Sequence, residues 1–135
     1  MTSKEYETYV ADLIRSLRFF RSGSIEQNRI LDGVRQPGRY EIDISVELLL
    51  GGIASFLLIV ECKNWQRPVD RPVIQKFAQT CDAVSAHKAA VVSPIGFTSQ
   101  AVDVARARDR TMGDYPSEMV NCSIRRWDGS PSFLA

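Results

Sequence analysis

Leu57-Leu58-Ile59-Val60-Glu61-Cys62-Lys63 decides how this chain folds and where its chemistry lies. The apolar run from Ala54 is too continuous to have a solvated face, so it marks a buried strand, Ala54 to Lys63. That strand nevertheless ends in a carboxylate and an ammonium, which alternation puts on one face, with Cys62 on the other. Burying unpaired charge costs on the order of several kcal/mol, so the pair needs a reason. Tyr40 to Leu50 is a second apolar run carrying Asp43 near its start, and Gly51-Gly52 is a turn signal that lets the two runs pair antiparallel. Paired in this way, Asp43, Glu61 and Lys63 converge at one sheet edge. Two hard oxygen ligands for a divalent cation beside a lysine are the minimum equipment for metal-assisted phosphodiester hydrolysis.

Flanking segments supply the remaining layers. From Ser3 to about Phe20, the apolar residues Tyr6, Val10, Leu13, Ile14, Leu17 and Phe20 fall on one helical face, and Thr2 with Glu5 fits a capping box. Ile25 to Leu31 reads as a short strand and Asp32 to Arg39, with Gly33, Pro37 and Gly38, as a loop. Val73, Phe77, Cys81 and Val84 mark a second amphipathic helix reaching about Ala86. Lys88 to Ser93 is a further buried strand. Thr98 or Ser99 caps a third helix, Asp114-Tyr115-Pro116 closes it, and Glu118 to Trp127 is the last expected strand. The order predicts an α/β sandwich: a mixed central sheet, antiparallel at its centre, flanked by helices and extended by crossover connections.

A chain of 135 residues with 44% hydrophobic content fits one domain, residues 1–135. No apolar stretch approaches the roughly 20 residues of a membrane span. Met1 to Glu7 lacks the basic start and apolar core of a secretion signal, so the expectation is a soluble, cytoplasmic protein. Cys62, Cys81 and Cys122 are odd in number and widely spaced, which argues against a disulfide framework or a thiolate zinc site. The net charge of +1 says little, but arginines gather at Arg15, Arg18 and Arg21, at Arg106, Arg108 and Arg110, and at Arg125 and Arg126. Each cluster is either a phosphate-contacting surface or a solvated face.

These residues resemble the PD-(D/E)XK nuclease superfamily, the restriction-endonuclease-like fold, and within it the Mrr-type catalytic domain. The resemblance rests on Asp43 followed after an 18-residue gap by Glu61-Cys62-Lys63. Further blocks extend it over roughly residues 5 to 110: Tyr6-Glu7 with Val10 and Leu13, Glu41-Ile42-Asp43-Ile44, Val60-Glu61-Cys62-Lys63-Asn64-Trp65, and Val91-Val92-Ser93 leading to Gly96-Phe97-Thr98 and Ala101. Ile42 stands where the superfamily's name has proline, and Glu61 takes the carboxylate option. The resemblance implies a restriction-endonuclease-like three-layer sandwich. It also implies a metal-dependent DNA endonuclease of restriction or repair type, without the separate DNA-recognition domain that such enzymes usually carry. The alternative is a non-catalytic nuclease-fold module that binds DNA or assembles into a larger complex.

Within that reading Asp43 and Glu61 hold Mg²⁺, with Mn²⁺ as a substitute, and the resemblance adds the backbone carbonyl of Cys62 as a further ligand. Lys63 stabilises negative charge at the scissile phosphate; as a general base it would need a depressed pKa, so the electrostatic role is preferred. By the family pattern Glu7 faces the site and binds a second metal or its water; otherwise it is an ordinary carboxylate at a helix start. Gln75 can donate to a phosphate or a water, or lie on a solvated face. Structural alternatives are an Asp43–Arg39 ion pair, a Glu61–Lys63 ion pair and an exposed Glu41. His87 is expected at a helix C-terminus, Trp65 and Phe97 in core or rim packing, and Thr98 at a helix cap. One site cuts one strand, so a homodimer or a separate DNA-targeting partner is the expected company.

Overall fold

Thr2 and Glu5 clasp each other at the start of α1 (Ser3–Ser16): Thr2 N–H donates to Glu5 Oε2 at 2.7 Å, and Glu5 N–H donates to Thr2 Oγ1 at 3.1 Å. This reciprocal pair satisfies two N–H groups that a helix start would otherwise leave orphaned. The computed structural model describes residues 1–16, 23–50, 54–111 and 125–126. The Gly51-Gly52 turn, Leu17, Phe20, Arg18, Arg21, Cys122, the Asp114-Tyr115-Pro116 stop and all but two residues of the last expected strand lie outside them.

The sheet contains β1 (Gly23–Asp32), β2 (Arg39–Leu50), β3 (Ala54–Cys62), β4 (Lys88–Ser93) and β5 (Arg125–Arg126), ordered β1-β2-β3-β4-β5. The first three pair antiparallel, whereas β3 with β4 and β4 with β5 are parallel. α2 (Arg71–Ala83) makes the crossover that a parallel β3–β4 pair requires, and α3 (Ser99–Thr111) follows β4. The expected mixed sheet flanked by helices is the fold observed, but its antiparallel strands, β1 to β3, form one side of the sheet and not its centre.

Strand alternation divides the apolar residues into two cores. Tyr6, Val10, Ala11 and Ile14 of α1 pack with Ile44, Val46, Val60, Ala90 and Val92 on one face. Ile74, Phe77 and Cys81 of α2 and Ala101 and Ala105 of α3 pack with Ile42, Ile59, Ala89 and Val91 on the other. Each fully buried Ile or Val is worth about 1.5–3 kcal/mol, so the three layers are held chiefly through the sheet. Thr98 caps α3, its Oγ1 accepting the Ala101 N–H at 3.2 Å.

Two boundaries depart from expectation. β1 runs three residues beyond Ile25–Leu31 in total, from Gly23 to Asp32, because its polar side chains pair across the surface: Arg29 reaches Glu26 at 3.4 Å and Glu47 at 2.8 Å. α2 stops at Ala83 rather than Ala86. Ser85 turns left-handed (φ 55°), so that Ala86 N–H donates to the Cys81 carbonyl at 3.0 Å and Ser85 N–H to that of Asp82 at 3.2 Å, a Schellman closure. His87 thus lies past the helix end, not on it. It stands in for a strand residue: its Nδ1 accepts the Leu57 N–H at 3.0 Å, its own N–H donates to the Leu57 carbonyl at 2.9 Å, and its ring stacks on Phe56.

Candidate active site

The ladder between β2 and β3 runs from Leu50 opposite Ala54 to Ile44 opposite Val60 and stops there. β3 continues beside β4 as far as Cys62 opposite Val92, and Lys63 N–H still donates to the Val92 carbonyl at 2.9 Å. A fork therefore opens between β2 and β3. Asp43 fills it: its Oδ2 accepts the Cys62 N–H at 2.9 Å, replacing the backbone acceptor that the ladder no longer supplies. The N–H and C=O of one strand residue point the same way, so the Cys62 carbonyl faces this fork as well.

Glu61 and Lys63 complete the group. Asp43 and Glu61 lie close enough to act on each other's charge, and Lys63 Nζ lies 3.3 Å from Glu61 Oε1. Lys63 is also 5.5 Å from the Trp65 ring centroid, and the Arg67 guanidinium lies over the same ring at 4.2 Å. Asn64, Trp65, Gln66 and Arg67 line an open cleft directly after the lysine. The group thus opens toward a surface rich in donors and cations.

Burial and mutual repulsion make this corner electrostatically expensive. Burial pushes the Asp43 carboxyl up, against the pull of the Cys62 N–H and of Lys63. Glu61 is pushed up by burial and then by Asp43, with Lys63 opposing. Glu7, on the first turns of α1, is pushed up by burial and then by Asp43, with Lys4 and Asn28 opposing. Three carboxylates set against Lys63 and, at Glu7, Lys4 leave negative charge in excess. The Cys62 thiol is also pushed up, by burial first and then by Asp43, which keeps it a thiol.

Glu7 comes near without joining the others. Its Oε2 is buried with no hydrogen-bond partner, yet among the described residues no three His, Cys, Asp or Glu side chains gather closely enough to hold one ion. Asp43, Glu61 and the Cys62 carbonyl are the groups that share the fork. Glu41 is exposed, and Gln75 is exposed on α2 beside the buried Ile74. Arg39 pairs with Asp32 at 3.7 Å and not with Asp43. Trp65 and Phe97 pack against the α2–α3 core, in keeping with the structural alternative. Arg15 is engaged with Asp12 and Arg108 with Asp82, so each has an acidic neighbour.

One residue at the site escaped sequence reasoning. Asn28 lies in β1 at the position that would face Asp43, between the ladder pairs Gln27–Ile44 and Arg29–Ile42, and its backbone is left-handed (φ 53°). An asparagine inside a strand was the available signal: it is a poor strand former, but it tolerates this conformation better than most residues.

Comparison with known proteins agrees with this architecture. The model of a restriction endonuclease family, the Mrr catalytic domain, matches residues 1–114. No curated protein matches. Among solved structures, the protein of unknown function AF1548 superposes with a TM-score of 0.62 at 18% identity, over 87% of this chain and 61% of that one. This chain therefore spans less than two thirds of that structure, and the likeness speaks for the fold. With the family match running from the first residue past the end of α3, the chain belongs to the Mrr-type restriction endonuclease family, a family of nucleases.

Proposed function

We propose that this single domain is a divalent-metal-dependent DNA endonuclease that acts in the cytoplasm and hydrolyses phosphodiester bonds at the β2–β3 fork. The supporting observation is the gathering of charge there: Asp43 Oδ2 is held on the Cys62 N–H at 2.9 Å, Lys63 Nζ lies 3.3 Å from Glu61 Oε1, and the two carboxylates are close enough to repel each other. A cation would remove that repulsion, and hard carboxylate oxygens with a backbone carbonyl suit Mg²⁺ or Mn²⁺. Asp43, Glu61 and the Cys62 carbonyl would hold the ion, with Glu7 behind them. When bound, the ion supplies the charge stabilisation that the phosphorane-like transition state requires.

The chain's own residues do the rest. Lys63, tied to Glu61, presents its ammonium at the mouth of the fork, where it can meet a phosphate oxygen and stabilise developing charge. The Cys62 N–H fixes the Asp43 carboxylate in place before substrate arrives. Trp65 and Arg67 give the adjacent cleft a flat, cationic wall suited to a nucleic-acid backbone. Gln75 is assigned no more than a peripheral contact.

Incubation with supercoiled and branched DNA, with Mg²⁺, Mn²⁺ or chelator, tests the proposal. Cleavage is expected with either ion, and it should vanish with chelator and in Asp43→Ala and Lys63→Ala. Cleavage indifferent to both substitutions would refute the assignment, and metal-dependent DNA binding without cleavage would favour a non-catalytic module.

A further inference from the structure

Alternation fails at one place in the sheet, and it fails in two strands at once. On β2, Ile44, Val46 and Leu48 pack into the α1 core, so Ile42 and Tyr40 should do the same. Instead Ile42 and Tyr40 belong to the α2–α3 core. On β1, Ile25 packs into the α1 core and Leu31, at the same parity, into the opposite one. Gln27 still faces α1, where its Nε2 donates to Thr8 Oγ1 at 3.3 Å, whereas Arg29 reaches Glu47, which alternates with the inward-facing Val46 and Leu48. The change of face therefore falls at Asn28 and Asp43, the one pair missing from an otherwise continuous register.

The left-handed backbone of Asn28 accounts for the change. A residue with φ near 53° cannot continue a pleat, and it reverses which side of the strand the next residue faces. Ile42 and Ile44 are then both fully buried, on opposite faces, and the residue between them is turned out of alternation toward the fork. A glycine would supply that backbone at lower cost, so the side chain needs its own explanation. Its side chain lies beside Glu7 and favours the charged form of that carboxylate, which retains a buried, unpartnered Oε2.

We propose that Asn28 is a positioning residue of the nuclease site: its left-handed backbone aims Asp43 into the fork, and its side-chain amide holds Glu7 toward the same point. The inference rests on the nuclease reading above. It assigns one residue two separable tasks.

Three variants separate them. Asn28→Gly keeps the backbone freedom and removes the amide; Asn28→Val opposes the backbone and removes the amide; Asn28→Asp keeps the shape and replaces the donor with another negative charge. Cleavage (kcat and KM separately), Mn²⁺ affinity by electron paramagnetic resonance, and thermal melting are compared with wild type and Asp43→Ala. For Asn28→Gly the expectation is an unchanged or higher melting temperature, an unchanged KM, kcat lower by about tenfold and Mn²⁺ binding several-fold weaker. Asn28→Asp should lose at least as much kcat, and Asn28→Val should lose cleavage and melting temperature together. Cleavage and Mn²⁺ affinity in Asn28→Gly indistinguishable from wild type would overturn the amide's role, and an unaffected Asn28→Val would overturn the backbone's. If wild type lacks Asp43-dependent cleavage and Asp43-dependent Mn²⁺ binding, the nuclease reading itself has failed. If wild type binds Mn²⁺ without cleaving, the affinity series alone decides.

Discussion

Asn28 and Ser85 are the two residues other than glycine with a left-handed backbone among those described, and their settings could hardly differ more. Ser85 sits just past α2, where the Schellman closure uses its conformation to satisfy two helix carbonyls. Everything Ser85 does is local. Asn28 sits inside a strand, where left-handed geometry interrupts the ladder and satisfies nothing nearby, and the residue it faces is Asp43. Strain with a local return is ordinary helix punctuation; strain without one points to the site it serves.

The largest effect that would sharpen this contrast lies at Asp43. Asp43→Asn keeps an acceptor for the Cys62 N–H but removes a negative charge from beside Glu61 and Glu7. Cleavage should fall by more than about a hundredfold while the melting temperature at neutral pH rises. A variant that is both inactive and destabilised would mean that the site is not the source of the strain. Ser85→Asn, which preserves left-handed tolerance far from the fork, should leave cleavage untouched.

Next in size is the pH dependence of stability. Asp43, Glu61 and Glu7 are all raised in the folded state above their unfolded values near pH 4. The folded chain therefore binds more protons than the unfolded one. The stabilising contribution is fully present below about pH 4 and is lost as pH rises through the folded values. Thermal melts from pH 4 to 8 should show wild type losing stability relative to Asp43→Asn. Adding Mg²⁺ or Mn²⁺ at neutral pH should recover several degrees, and chelator should remove the gain. A metal-independent profile that matches Asp43→Asn would contradict the picture of crowded carboxylates.

The smallest effects concern local geometry. Ser85→Gly relieves a left-handed L-residue at the cost of a more flexible unfolded chain, for a net gain of about 0.5–1 kcal/mol with cleavage unchanged. Denaturant titration measures it. Thr98→Ala removes the α3 cap and should cost about 1 kcal/mol, again without effect on kcat.

Much of this was legible in the sequence because local chemistry and global fold agree. The capping box at Thr2 and Glu5, the cap at Thr98 and the strand Lys88–Ser93 appear as their residues predict. The approach of Asp43, Glu61 and Lys63 follows from pairing two apolar runs across a turn. Three features did not announce themselves. α2 ends without a glycine, so Ser85 gives no stop signal, and His87, expected at the helix C-terminus, lies beyond an end that comes at Ala83. β1 is held by ion pairs of polar side chains, which hide its length from a hydrophobic pattern. The change of face at Asn28 violates the alternation by which strands are read, so the pattern of residues does not show the turn between Ile42 and Ile44.

Ile42 and Ile44 bracket Asp43 like two nails driven from opposite sides of a board. A carboxylate whose chain neighbours are each locked into a different core has no inexpensive way to swing aside, so its place is set at folding and not when an ion or a DNA strand arrives. Damage at a distance should then be felt here too: a cavity opened in either hydrophobic layer loosens one of the nails, and this corner of the molecule registers defects from both.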